Sequence, residues 1–258
     1  MLKGLYTAYT GLRNEQYHMD IMSNNLANSA TVGFKKEGST SQTFDAVFAY
    51  KLKDASDAAG NLPRRIGYNN PGVKIGEVYN DFTQGPLQVT DNTYDLALGG
   101  DGFFNIEFKN KAGVTSTKYT RAGNFTLTKE GFLVTKDGDY VLGTGGRIRL
   151  DPNTNTTIHK DGSIEQDGRI VSRLRITDFE DYDYLIKYGE TYFEPVEGYK
   201  TKAADVQVFS GYLEASNVQV VSEMVNMINI TRAYESNQKI VQTYDSTLEA
   251  AVTQLGRL

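Results

Sequence analysis

The sequence predicts an α+β protein in which amphipathic helices from the N- and C-termini pair in a coiled-coil manner around an inserted antiparallel β-rich domain. Three observations carry this. From Tyr212 to Leu255 there is neither Gly nor Pro, so one long unbroken helix is permitted. Both ends of the chain space apolar residues by alternating steps of three and four, the heptad signature of a narrow helix–helix seam. The middle instead alternates apolar and polar residues between x-Gly turns, which is the pattern of an antiparallel meander.

Element by element, the N-terminal line is Leu2, Leu5, Tyr9, Leu12, (Gln16), Met19, (Ser23) and Leu26. The C-terminal line is Met224, Met227, (Thr231), Tyr234, (Gln238), Val241, (Asp245), Leu248, Val252 and Leu255. A helix from about residue 215 to 255 is about 60 Å long at 1.5 Å per residue. Between the helices, Phe104, Ile106 and Phe108, then Phe125 and Leu127, Phe132 and Val134, and Tyr140 and Leu142 mark short strands. Asp101-Gly102, Glu130-Gly131, Asp137-Gly138, Asp161-Gly162 and Asp167-Gly168 punctuate them. Asp54 to Gly60 reads as a loop and Asn69-Asn70-Pro71-Gly72 as a turn. The expected organisation is a terminal helical domain from residues 1–35 and 212–258, a connecting extended or β segment from 36–83 and 198–211, and a β-rich domain over 84–197. A single helix pair has little area to bury and its seams carry polar residues. Such helices gain most of their stability from packing against other elements or other copies.

Composition narrows the function. The 258 residues contain 27 Lys plus Arg against 32 Asp plus Glu, a net charge of −5, which argues against nucleic acid as the main partner. With no Cys, disulfides, thiolate nucleophiles and Cys-ligated metals are excluded. The two histidines, His18 and His159, are far apart in sequence, which argues against a His-based triad or multi-histidine site. No apolar run approaches the ~20 residues of a membrane-spanning helix. The first residues mix polar groups into what would be a signal core, so no cleavable secretory signal is expected.

Candidate chemistry is thin. Asp151, Asn153 and Asn155 resemble the start of a calcium loop, but Thr156 replaces the required Gly and Gly162 the required Glu, so a polar loop is expected. Gly143-Thr144-Gly145-Gly146 lacks the Lys-Ser/Thr and following helix of a phosphate-binding loop and reads as a turn. Asp178, Glu180, Asp181 and Asp183 could supply paired carboxylates for acid–base work, with a solvated acidic face as the simpler reading. His18, off the heptad line, reads as a surface residue and His159 as a turn neighbour. Arg147, Arg149, Arg169, Arg173 and Arg175 form a mild basic concentration, offset by the acidic stretch over 178–197 that follows, which suggests charge complementarity between subunits. No catalytic, cofactor-binding or metal residue is assigned, and an enzyme is not expected.

Several motifs are familiar. Leu5-Tyr6-Thr7-Ala8 with Gly11, Ser23-Asn24-Asn25-Leu26-Ala27-Asn28 and Gly33-Phe34-Lys35 resemble the N-terminal signature of bacterial flagellar rod and hook proteins. Gln84-Gly85-Pro86-Leu87, Asp95-Leu96-Ala97-Leu98, Gly102-Phe103-Phe104 and Tyr119-Thr120-Arg121-Ala122-Gly123-Asn124-Phe125 are similar to the family's central motif, with Gly131-Phe132-Leu133-Val134 after them. The run from Gly211-Tyr212-Leu213-Glu214-Ala215-Ser216-Asn217-Val218 through Glu223-Met224-Val225-Asn226-Met227-Ile228 to Arg232-Ala233-Tyr234-Glu235 resembles the family's C-terminus.

The resemblance implies a structural subunit of the flagellar basal-body rod. Such a subunit is exported by the flagellar type III apparatus and polymerises into a helical, torque-transmitting tube beside other rod and hook subunits. It has no nucleic-acid partner and does not span the membrane. The distal rod protein is the expected type and the proximal rod protein the alternative. A non-flagellar binding module and an enzyme using the Asp178–Asp183 carboxylates are the competing classes. On this reading Leu2, Leu5, Tyr9, Leu12, Met19, Leu26, Met224, Met227, Tyr234, Val241, Leu248, Val252 and Leu255 form the assembly interface. Asn24, Asn25 and Asn28 are expected to end the first helix by left-handed backbone conformation and local backbone bonding, Gly33 to supply a φ > 0 turn, and Asn217 or Ser216 to cap the second helix.

Overall fold

The computed structural model describes residues 2–51, 64–111 and 113–255, so the loop expected at Asp54 to Gly60 lies outside the described residues. Helix α1 spans Leu2–Ala27 and helix α2 spans Val220–Leu255, with strands and one short 3-10 turn between them among the described residues. At 36 residues α2 is about 54 Å long. It begins five residues after the expected start near 215, and Tyr212–Glu214, at the head of the Gly- and Pro-free run, forms a strand. The chain divides into two compact units. Met1–Leu26, Glu37–Tyr79 and Val220–Leu258 form a helical unit; Ala27–Lys36 and Asn80–Gln219 form a β unit.

In the helical unit, Glu37–Thr43 pairs with Val73–Asn80, and Val47–Lys51 pairs antiparallel with Arg64–Asn69 through a bulge at Ala49/Tyr50. The two helices meet through glycines. A Cβ on Gly4 would lie 2.3 Å from the Tyr244 hydroxyl, and one on Gly11 would lie 3.0 Å from Asn237 Nδ2. Seven residues forward on α1 therefore answer seven back on α2, so the helices run antiparallel, brought close where α1 has no side chain.

The β unit is built on a sheet of ten strands among the described residues. Its path runs Leu185–Tyr188, Tyr192–Pro195, Thr115–Thr120, Phe103–Lys109, Tyr140–Gly143, Leu133–Val134 and Thr126–Leu127. Ile176–Phe179 joins beside Phe103–Lys109, and a separate three-stranded sheet runs Thr156–Ile158, Ser163–Gln166 and Arg169–Arg173. The alternation that marks Phe104 and Ile106 as inward is correct, and both are fully buried with Leu98, Phe125, Leu133, Val141 and Ile164. The opposite face is buried too: Phe103 packs with Tyr119, Phe179, Leu185 and Phe193 in a second aromatic cluster. The start and end of this unit are paired, with Leu87–Val89 against Tyr212–Glu214 and Leu96–Gly99 against Gln207–Ser210.

Candidate assembly surface

Helix α1 buries a different stripe from the apolar one. Its buried side chains are Ala8, Thr10, Asn14, Ile21 and Asn25. Of the polar members, Asn14 and Asn25 face the strand Glu37–Thr43, while Thr10 donates to the Thr7 carbonyl. Asn14 Nδ2 donates to Ser41 Oγ at 3.0 Å, and the His18 ring lies between Ser39 Oγ (2.8 Å) and Ser41 Oγ (2.9 Å). Asn25 donates to the Glu37 carbonyl at 2.8 Å and accepts the Glu37 N–H at 3.0 Å, reproducing with a side chain the paired bonds of a strand neighbour. His18 is thus half-buried and engaged rather than a free surface residue.

The apolar line of α1 faces elsewhere. Leu5, Leu12, Met19 and Leu26 are half-buried and Tyr9 is 54% exposed. Leu5, Tyr9 and Leu12, joined by Val241 of α2, line an open groove of 810 Å³ whose other wall is Val47, Phe48 and Pro71. On α2, Met227, Tyr234 and Val241 are half-buried, whereas Met224, Leu248 and Val252 are exposed. The half-buried line runs Met227, Ile230, Tyr234, Asn237, Val241 and Tyr244. One of the two expected heptad positions (227, 234, 241) is kept. Toward the C-terminus the other shifts back by one residue, from Gln238 and Asp245 to Asn237 and Tyr244, where α1 offers Gly11 and Gly4, while Thr231 stays half-buried beside Ile230. Leu2 and Leu255 sit at the helix ends, outside the described side chains.

The asparagine motif works through side-chain amides. Among the described residues the non-glycine positive φ angles belong to Asp91 and Asp167, so Asn24, Asn25 and Asn28 do not take the left-handed conformation. Asn28 instead closes a turn, with its carbonyl accepting the Thr31 N–H and its Oδ1 the Thr31 hydroxyl, both at 3.1 Å. Gly33 has φ +69°, and a Cβ there would lie 2.3 Å from the Ala122 nitrogen. The capping role expected of Asn217 is corrected: α2 starts three residues later, at Val220. The Asn217 amide accepts the Lys36 N–H at 2.8 Å and donates to the Asp81 carbonyl at 2.8 Å, tying three segments of the β unit. Ser216 Oγ accepts the Val218 N–H at 3.3 Å, short of the helix as well.

Beside Asn217 lies a charge cluster that sequence reading did not assign. Glu214 is wholly buried, and its carboxylate meets Lys35 Nζ at 2.6 Å, the Gly85 N–H at 3.0 Å and Arg121 at 3.5 Å. Lys35 also donates to the Thr83 carbonyl at 2.7 Å, and Arg121 lies over the Phe103 ring. Burial holds the Lys35 ammonium below its usual range, opposed by the charge and hydrogen bond of Glu214. Lys35, Gly85, Arg121 and Glu214 all stand in the motifs quoted above, and only folding shows that they meet.

The residues weighed for catalysis are engaged structurally. Asp178 is buried and accepts from Lys202 Nζ (2.9 Å), the Tyr182 hydroxyl and the Phe179 N–H (both 2.8 Å). Burial pushes its carboxyl up, but those three donors outweigh it and hold the group below the usual carboxylate range. Glu180 is near Lys200, and Asp181 caps a 3-10 turn at Tyr182–Tyr184 by accepting the N–H of Asp183 within it. Asp151 Oδ1 accepts the Asn153 N–H, closing a local turn. His159 pairs with Glu165 and Arg147 with Glu107. Among the described residues no group of three or more His, Asp or Glu is placed to hold a metal, and no helix is long and apolar enough to cross a membrane.

Three family models match in chain order. They are flagella basal body rod protein over residues 5–35, flagellar hook protein FlgE/F/G D1 domain over 97–170, and flagellar basal body rod FlgEFG protein C-terminal over 210–255. The chain is 35% identical over 256 residues to flagellar basal-body rod protein FlgF of Caulobacter vibrioides, covering 97% of this chain and 98% of that one. It is 34% identical over 263 residues to FlgG of the same organism (96% and 98%) and 33% identical over 274 residues to FlgG of Bacillus subtilis (98% of each). Helical ends joined to an antiparallel β insertion, matched by rod models at both ends, define an axial flagellar protein. The chain belongs to the flagellar basal-body rod protein family.

Proposed function

We propose that this chain is a non-enzymatic structural subunit of the flagellar basal-body rod, polymerising through its terminal helices into the tube that carries torque from motor to hook. The observation that carries the reading is the apolar surface left on the helical unit: the groove at Leu5, Tyr9, Leu12 and Val241, with Met224 and Val252 exposed besides. A protein in water gains by covering such a surface, and a polymer does so with further copies. On this reading residues 1–35 and 212–258 form the axial core, 36–83 and 198–211 connect, and 84–197 face outward. The other partners are neighbouring rod and hook subunits and the type III export apparatus. The distal type is our first reading of position. The proximal type is the second, favoured by an alignment to FlgF that runs over 256 positions where FlgG of Bacillus subtilis needs 274.

Leu12→Asp and Val241→Asp test it. Each puts a carboxylate into the groove, and motility and incorporation into isolated basal bodies are expected to be lost while near-UV circular dichroism of the β unit is unchanged. Normal swimming by either variant would remove the groove from the assembly interface.

A further inference from the structure

The helical unit carries, besides its groove, a second discrete apolar feature. Val221, Val225 and Ile228 stand at i, i+4 and i+7 on α2 and are 77%, 52% and 53% exposed, with Met224 beside them. This is the anchor spacing by which an amphipathic helix seats in an apolar groove. Continued along α2, the same line reads Arg232, Glu235 and Lys239, so the apolar stripe ends after two turns. At 810 Å³ the groove falls within the about 300–1,000 Å³ of cavities that enclose a whole ligand, room for several aliphatic side chains.

We infer that the groove of one subunit receives the Val221–Val225–Ile228 stripe of a second copy of this chain. The inference rests on the reading of the chain as a self-assembling rod subunit and specifies which surfaces join. The chain cannot satisfy the contact alone. Val225 and Val241 lie on one continuous helix, 16 residues and so about 24 Å apart, and at 100° per residue they point about 160° away from each other. Stripe and groove therefore open toward different neighbours. Two unlike, complementary patches on one molecule make a head-to-tail contact, which propagates instead of closing into a dimer. With the helices of neighbouring copies parallel, seating Val225 at the level of Val241 offsets successive subunits by about 24 Å along the helix axis.

The chain has no cysteine, so thiols can be placed singly. Cells that depend on this chain for motility would carry Val225→Cys, Val241→Cys or both in one chain, and be treated with a short thiol-to-thiol cross-linker before basal bodies are isolated. The double variant is expected to give a ladder of dimer, trimer and higher species, and each single variant none. Val241→Cys dimerising alone would overturn the inference in favour of a symmetric groove-to-groove contact. Cross-linking of the double variant to a different protein would overturn it by naming another occupant. Basal bodies that contain the double variant without a ladder would overturn it while leaving the rod assignment standing. Basal bodies lacking even the cysteine-free wild-type chain would overturn both.

Discussion

In the β unit the strand Phe103–Lys109 is covered on both faces: Phe104 and Ile106 enter one apolar cluster and Phe103 another, all three wholly buried. In the helical unit the 36 residues of α2 contain one buried side chain among those described, Glu223, while Val221, Val225, Ile228 and Val252 are more than half exposed. The β unit also ties its own segments together by buried charge, at Lys35, Arg121 and Glu214. The helical unit instead holds α1 to its strand by hydrogen bonds from the Asn14 and Asn25 amides and the His18 ring. One unit closes around its own apolar clusters, and the other leaves apolar side chains exposed.

The contrast can be broken at the charge cluster, where the largest effect is expected. Glu214→Gln leaves Lys35 and Arg121 buried without a counter-charge, which costs about 3–5 kcal/mol. Chemical denaturation of the purified chain should show that loss in the β unit; a loss under about 1 kcal/mol would mean that the cluster rearranges or hydrates and does not hold the unit together. A smaller effect should appear in the other unit. Asn25→Ala removes two hydrogen bonds to Glu37, worth about 1–3 kcal/mol together. Amide exchange at the C-terminal end of α1 should quicken while unfolding of the β unit stays put. If both units lose stability together, they are not energetically separate.

The smallest effect is acid dependence in the β unit. Because the Asp178 carboxyl is held below its usual range in the folded state, its contribution is present above the ordinary carboxylate pKa of about 3.9. It is lost as pH falls from there through the lowered folded value. Asp178→Asn should flatten the fall in β-unit stability between pH 5 and 2 relative to wild type, measured by denaturant titration at each pH. An unchanged slope would show that Lys202, Tyr182 and the Phe179 N–H do not favour the ionised carboxylate.

The sequence by itself determined the helices at both ends, the meander between them and the family, because period, turn residues and motif order are local properties. It also named Leu5, Tyr9, Leu12 and Val241, which converge on one groove. Only tertiary structure decided that α1 is bound to its strand by Asn14, His18 and Asn25, since a polar side chain's partner lies across space and leaves no period. It moved the α2 stripe by one residue, because Gly4 and Gly11 let Tyr244 and Asn237 approach. It turned Asn217 from a helix cap into a tie to Lys36 and Asp81, because the helix starts only at Val220. It also joined Lys35, Gly85, Arg121 and Glu214, whose separations of 36 to 179 positions carry no local signal; burial makes their charges meet or forbids the fold.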